Sequence, residues 1–135
     1  MKENIRIKET RIKLVTDIEN HGLHGFILKE RLLLEDYIRR KPYFLTSLEP
    51  ISAGDGPTIV KIMLKAGLIG GVGPMAAVAG TISELSLHHL MDKGSKYSIV
   101  DNGGDIALIN DRKVNIGLYA GDSPLSGEIG FQLKA

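Results

Sequence analysis

The chain begins with a stretch in which apolar residues alternate with charged ones, mostly basic. This alternation has the period of a half-buried β-strand and predicts strand over residues 4–18. The apolar parity changes between Ile7 and Ile12. A shift of that kind moves side chains to the other face of a sheet, so it indicates a bulge or a turn near Glu9 and Thr10.

Apolar residues at helical spacing then predict an amphipathic helix from Leu28 to Arg40. Basic residues at its end suit the negative end of the helix dipole, and Pro42 stops it. The residues before it, 21–25, are predicted to form a loop. His21 and His24 in this loop have the spacing of a metal pair, but no neighbouring carboxylate or cysteine completes a ligand set, so the loop interpretation is favoured. The predicted packed face consists of Leu28, Leu32, Leu33, Tyr37 and Ile38.

Two further helices are predicted on either side of a glycine-rich bend. The first begins near Thr58 with Asp55 as its capping residue, and Gly67 is its predicted C-terminal stop. The second runs from about Met75 to Lys93, with Pro74 in its first turn.

Three polar residues, Glu84, His88 and Asp92, share one face of the last predicted helix at four-residue spacing. They suit a divalent cation, or they form an ordinary solvated face. The solvated face is favoured because these residues lie opposite the apolar row of the same helix.

The rest of the chain is predicted to be β-structure, with several short apolar runs separated by turn residues. Combined with the helices, this pattern predicts an α+β fold with a mixed or antiparallel sheet and packed helices. The predicted strands are Tyr97–Val100, Ile106–Ile109, Val114–Tyr119 and Ile129–Leu133, with a turn at Gly121–Pro124.

Composition narrows the class of protein. A length of 135 residues suits one domain, and 43% hydrophobic with 24% charged residues is ordinary for a globular protein. A net charge of +1 without a basic block argues against binding nucleic acid by bulk electrostatics. The absence of cysteine excludes disulfides and fits a cytoplasmic protein. Glycines and Pro74 interrupt the longest apolar run, so we expect no membrane span, and the charged start is not that of a signal peptide.

Two glycine-containing segments are the candidates for function. Residues 70–84 form a glycine-rich bend leading into a helix of small residues, and Asn102–Asp105 form a tight turn that presents a carboxylate. We expect the two to lie side by side, with amides at residues 75–77 holding a phosphate and Asp105 holding a hydroxyl or a metal. Each segment also has a purely structural alternative. The glycine-rich bend would only allow close packing of the helix on a sheet, and the Asp would only stabilise its turn. The predicted ligand site comprises Gly73, Pro74, Met75, Ala76, Ala77, Asn102, Gly103, Gly104 and Asp105.

Four segments of the chain, in this order, resemble an uncharacterised prokaryotic family with an ApbE-like fold. They are residues 31–38, 71–80, 101–106 and 119–126. The resemblance covers nearly the whole chain, and members of that family extend further. It therefore implies that residues 1–135 are a single ApbE-like domain that is incomplete at its C-terminus.

The relatives of that family with a known activity are the FAD:protein FMN transferases, which use a divalent metal, usually magnesium. The resemblance thus implies FAD, FMN and magnesium as candidate cofactors. It places Ala76 at the metal-contacting position, Gly80 on the motif glycine and Glu84 on the motif aspartate. The chain departs from the transferase motif at three positions, Gly73, Ala79 and Thr81.

Three functions follow as expectations. The first is binding of a phosphate-bearing ligand of the flavin or nucleotide type, and the second is a divergent magnesium-dependent flavin transfer. The third is a non-catalytic subunit or scaffold that another chain completes. A sheet that ends at Leu133 would leave an unpaired edge, so we expect a homo-oligomer or a partner chain, and a compact monomer in light scattering would contradict this.

Overall fold

A computed structural model describes residues 1–52, 54–117 and 130–134 of the chain. Its strands and helices alternate in blocks, with strands at both ends and helices in the middle. The strands are β1 (Lys2–Ile7), β2 (Thr10–Thr16), β3 (Ser98–Asn102), β4 (Asp105–Ile109), β5 (Val114–Gly117) and β6 (Gly130–Leu133). The helices are α1 (Leu23–Arg40), α2 (Tyr43–Thr46), α3 (Thr58–Gly70) and α4 (Val78–Asp92), and a 3₁₀ turn spans Pro74–Ala77.

The main sheet has four strands in the order β1-β2-β3-β4, each antiparallel to its neighbour. Strands β5 and β6 form a separate antiparallel pair. The α+β class and the antiparallel alternative for the sheet are therefore confirmed. The predicted turn near Glu9 is also confirmed, because Ile5 lies opposite Ile12 and the change of parity keeps both on the buried face.

The core lies between the inner face of this sheet and the helices. Inward residues of the strands pack with side chains of α1, α3 and α4 in one continuous cluster. Phe44 of α2 is fully buried in it and meets Tyr37 of α1 edge-on at 5.1 Å between ring centroids. This aliphatic cluster fixes the orientation of α4 on the sheet, which positions the candidate site.

Helix α1 begins five residues earlier than predicted, with Gly22 as its N-cap residue, and His21 Nδ1 accepts the Leu23 backbone N–H at 2.9 Å. His24 is thus helical, and its predicted place in a loop is wrong. The rotation of α1 is set by the buried residues Leu23, Ile27, Leu34 and Tyr37. Three residues of the predicted packed face are consequently exposed: Leu28 by 40%, Leu32 by 55% and Leu33 by 38%.

Helix α3 starts as predicted but without a side-chain cap, so the capping role predicted for Asp55 is wrong. The predicted stop at Gly67 is wrong as well, because α3 continues to Gly70 and Gly71 closes it with φ +70°. The role of Gly67 is packing: a Cβ there would lie 2.8 Å from the Val72 carbonyl oxygen. Over the described residues, no single helix has the length and apolarity needed to cross a membrane, although residues 58–70 and 74–92 meet that criterion jointly as a pair bent by 106°.

Several predictions fall wholly or partly on residues 118–129, which lie outside the described ranges. They are the end of the strand predicted to Tyr119, the turn at Gly121–Pro124, the start of the last strand at Ile129, and the family motif at residues 119–126. The described parts of the two strands, β5 and β6, agree with the prediction.

A buried row of hydroxyl groups joins the end of β2 to the start of β3. Ser98 Oγ lies 2.7 Å from Thr16 Oγ1 and 2.6 Å from Ser95 Oγ, and Ser95 donates to Asp17 Oδ1 at 2.6 Å. The other carboxylate oxygen of Asp17 accepts the backbone N–H groups of Lys96 and Tyr97. The hydrogen bond from Ser95, followed by those from these amides, lowers the pKa of Asp17.

We expect this carboxylate to make the fold sensitive to acid. Because folding lowers the pKa of Asp17, its ionised form stabilises the protein above the unfolded value of about 3.9, and this is lost as the pH falls through the lower folded pKa. Asp17→Asn should therefore lower the urea midpoint at neutral pH, and the gap to the wild type should close as the pH falls below the unfolded pKa. Asp92→Asn, which removes an exposed carboxylate of α4, is the control. A gap of constant size across this pH range would contradict the role of the charge.

Candidate functional site

The turn between β3 and β4 has the geometry predicted for it. Asn102 and Asp105 face each other across the turn, and the two glycines between them have φ values of +61° and +103°. These values lie in the region that glycine enters without strain. The Asp101 carboxylate accepts the Gly104 N–H at 2.9 Å and tightens the turn.

The turn is fixed to the first two turns of α4. The buried side chain of Asn102 donates through Nδ2 to the Ala79 carbonyl oxygen at 3.2 Å. Ser83 Oγ donates to the Asp105 carbonyl oxygen at 2.7 Å. An amide is needed at position 102 because its partner there is an acceptor, and a carboxylate has no proton to donate.

The Asp105 side chain lies beside Gly80 at this contact. A Cβ built on Gly80 would be 3.5 Å from Asp105 Oδ1, so the missing side chain leaves helix backbone open next to a carboxylate. Asp105 is exposed to solvent. An exposed carboxylate in this position can accept hydrogen bonds from a hydroxyl group or contribute to binding a cation.

The glycine-rich bend before α4 is used differently. Gly73 is buried, and a Cβ there would fall 1.8 Å from the Ser47 carbonyl oxygen. Its N–H donates to the Leu48 carbonyl oxygen at 3.1 Å. The absence of a side chain at Gly73 therefore serves packing against residues 47–48 of the same chain, which is the purely structural alternative for this glycine.

The segment after Gly73 is not the start of a regular helix, so the helix predicted from Met75 is wrong there. Pro74–Ala77 form a 3₁₀ turn in which the Ala76 N–H donates to the Gly73 carbonyl oxygen at 3.2 Å. Ala77 has φ −98° and ψ 4°, outside helical values, and α4 begins only at Val78. The Ala76 amide is thus already engaged within the turn.

The nine predicted site residues consequently fall into two groups. Residues 102–105 contact α4 at Ala79, Gly80 and Ser83. Residues 73–77 pack with α2, α3 and the start of α4. The first group places the exposed carboxylate of Asp105 beside the backbone of α4.

Sequence reasoning missed a cavity that is lined in part by Met75. This cavity of about 430 Å³ has mostly apolar walls, and its lining also includes the charged residues Glu9, Arg31 and Glu35. The Arg31 side chain is only 14% exposed and donates to Glu9 Oε2 at 2.8 Å and to Thr10 Oγ1 at 2.5 Å. Nothing in the sequence distinguishes Arg31 from an ordinary charged residue of α1.

The candidate metal-ligating side chains of the described residues lie apart from one another. Within these ranges no three His, Asp or Glu side chains converge on one point. Glu84, His88 and Asp92 are exposed on α4, which agrees with the solvated-face interpretation. His21 is occupied by Glu3 and by the Leu23 amide, so it does not form a metal pair with His24.

Comparison with known proteins identifies the family. A family model described as AbpE bacteria matches residues 3–135. The chain is 64% identical over 132 residues to a UPF0280 protein of Methanothermobacter thermautotrophicus, covering 98% of this chain and 52% of that protein. It is also 50% identical over 137 residues to a UPF0280 protein of Methanococcus vannielii, covering 98% of this chain and 55% of that one.

A third relative, a UPF0280 protein of Methanobrevibacter smithii, is 45% identical over 135 residues, with 98% of this chain and 57% of that protein covered. The chain thus spans about half the length of the curated relatives that it matches. The names of these relatives state no activity. Because the match extends over almost every residue, the chain belongs to the family described as AbpE bacteria.

Proposed function

We propose that the chain binds a phosphate-bearing ligand of the flavin or nucleotide type where the Asn102–Asp105 turn meets α4. The observation that carries this function is the seating of the turn on the helix, which leaves the Asp105 carboxylate exposed beside the bare backbone of Gly80. Two hydrogen bonds hold the turn, so the backbone that carries the carboxylate has a fixed position before any ligand arrives. A preorganised polar group of this kind gives orientation at little entropic cost.

The chemistry of the contact suits the sugar-like part of such a ligand. Asp105 accepts hydrogen bonds from ribose or ribityl hydroxyl groups, as a carboxylate does from the ribose hydroxyl in dinucleotide-binding sites. The gap at Gly80 allows a flat or chain-like group to approach the backbone of α4 closely. The resemblance to proteins that handle FAD and FMN makes a flavin the first ligand class to examine.

Flavin transfer, the enzyme alternative, has less support. Two positions that carry functional groups in the transferase motif are occupied here by Ala79 and Thr81. Ala79 instead uses its carbonyl oxygen to hold Asn102, so its role is structural.

Thermal unfolding in the presence of FAD, FMN or ADP, with and without magnesium, tests ligand binding. A ligand at about a hundred times its Kd stabilises the fold by about 2.7 kcal/mol, which raises Tm by several degrees. Asp105→Asn should reduce this shift because it removes the charge that receives the hydroxyl groups. Gly80→Ala should also reduce it, because a methyl group fills the gap beside Asp105 while its 3.5 Å contact leaves the fold intact.

Gly25→Ala is the matched control for Gly80→Ala. Both glycines lie within helices, where alanine gains up to about 1 kcal/mol, but a Cβ at Gly25 meets nothing within 4 Å. We expect Gly25→Ala to keep the full ligand-induced shift. If none of the ligands moves Tm of the wild type, or if Asp105→Asn and Gly80→Ala respond like Gly25→Ala, the site is wrong.

A second candidate function is that of a subunit completed by further chain, from the same or another polypeptide. It is favoured by large apolar side chains at the surface, above all Leu48, which is 87% exposed, and Ile69, which is 78% exposed. Leu28, Leu32 and Leu33 of α1 are exposed as well. A contiguous patch of exposed apolar side chains typically marks an interface, and the relatives have about twice the length of this chain.

A further inference from the structure

The outer face of the main sheet, opposite the helices, carries a cluster of basic side chains. Arg6 of β1 lies directly opposite Arg11 of β2, and the next pair on this face is Asn4 and Lys13. All four residues are exposed, whereas their neighbours Ile5 and Ile12 point into the core. Like charges directly opposite each other on antiparallel strands are destabilising, because the Cβ atoms are only about 4.5–5.5 Å apart.

The positive charge of this cluster is poorly compensated. Among the ion pairs of the described residues, none involves Arg6, Arg11 or Lys13. On β3, Asp101 lies opposite Lys13, and its carboxylate already accepts the Gly104 N–H. A chain with a net charge of only +1 therefore concentrates three cations against one carboxylate in a small area.

These side chains surround a groove. Its volume is about 450 Å³, and its lining surface is mostly apolar. The residues that line it are Asn4, Ile5, Arg6, Arg11, Ile12, Lys13 and, from the Asn102–Asp105 turn, Gly103. Two guanidinium groups can form bidentate hydrogen bonds to oxyanions, and the Lys13 ammonium adds a point charge. The groove thus combines charge, donors and size.

We propose that this groove binds the diphosphate or triphosphate portion of a small ligand. A bound anion would remove the repulsion between Arg6 and Arg11, which is otherwise uncompensated. The two pairs are about 7 Å apart along the strands, so the cluster matches a short oligophosphate and not the long track of a nucleic acid backbone. Binding of the phosphate groups in this groove does not depend on the proposed function. Only the placement of the rest of the ligand does, because that part would continue past Gly103 to the Asn102–Asp105 turn.

Isothermal titration of the full chain with sodium pyrophosphate, at low and at moderate salt, tests the groove directly. We expect binding by the wild type that weakens with salt, and a loss of about tenfold or more in affinity for Arg6→Gln and for Arg11→Gln. Arg39→Gln is the matched control, because Arg39 is an exposed arginine at the end of α1, away from the sheet. Without pyrophosphate, Arg6→Gln should unfold at a slightly higher temperature than the wild type, since the repulsion is gone.

The groove is overturned if the wild type does not bind pyrophosphate, or if Arg6→Gln and Arg11→Gln bind it as Arg39→Gln does. It is also overturned if a single-stranded oligonucleotide binds more tightly than pyrophosphate at the same salt concentration. Asp105→Asn separates the two sites. If this variant loses flavin binding but keeps pyrophosphate binding, both sites stand; if no flavin binds to any variant and pyrophosphate still does, only the groove stands.

Discussion

Gly73→Ala is expected to lower the free energy of unfolding by about 3 kcal/mol or more. The added methyl group would have to lie 1.8 Å from the Ser47 carbonyl oxygen and 2.8 Å from its carbonyl carbon. Both are backbone atoms, so no side-chain rotation relieves the overlap, and the hydrogen bond from Gly73 to Leu48 must open. Since small domains are stable by only about 5–15 kcal/mol, this loss is a large share of the total.

Urea unfolding followed by circular dichroism measures the effect. Gly70→Ala is the matched control from the same bend, because its Cβ would make only an ordinary contact, at 3.5 Å, with a Val72 methyl group. We expect Gly70→Ala to unfold within about 1 kcal/mol of the wild type. Equal midpoints for the two variants would show that Ser47 moves away freely and that Gly73 does not depend on this packing.

Asn102→Asp is expected to unseat the turn from α4 at neutral pH. The substitution keeps the shape of the side chain but replaces the donor that meets the Ala79 carbonyl oxygen with a buried, negatively charged acceptor. Leaving a charge buried without a partner costs about 3–5 kcal/mol. The free energy of unfolding should fall by about that amount, and the contact that positions Asp105 should be lost with it.

The pH dependence identifies the cause. Burial next to a carbonyl oxygen raises the pKa of the introduced carboxyl above its unfolded value, so the loss is largest above that raised pKa and shrinks as acid protonates the group. The urea midpoint of Asn102→Asp should therefore approach that of the wild type near pH 4 but stay well below it near pH 8. Asp105→Asn, an exposed change in the same turn, should unfold like the wild type, and a loss for Asn102→Asp that is independent of pH would contradict the mechanism.

The sheet was accessible from the sequence because its signal is local. The alternation around Ile5 and Ile12, with its change of parity, requires only a turn between two strands, and the structure has that turn. The glycines at 103 and 104 likewise indicated positive φ angles, which the structure has at both positions. Both of these features are set by neighbouring residues, and both were predicted correctly.

Features set by distant residues were not. The requirement for glycine at position 73 comes from Ser47, and the rotation of α1 comes from its packing on α3 and α4, which turned Leu32 outward. Arg31 lines a mostly apolar cavity and donates hydrogen bonds to Glu9 and Thr10, which lie at the turn between β1 and β2. Each of these contacts joins segments that are far apart in the sequence. Periodicity and turn chemistry describe only neighbouring residues, so they could not predict these contacts.

The hydrogen bonds in the row of hydroxyl groups between β2 and β3 are all donated in the same direction. Because a carboxylate has no proton at neutral pH, Ser95 must give its hydrogen to Asp17, and Ser98 must then give its own to Ser95 and receive one from Thr16. The Thr16 oxygen is free to accept the Ile18 N–H at 3.2 Å. A single ionised group at the surface thus aligns three successive rotors inside the protein, and its neutralisation would allow the whole row to reverse.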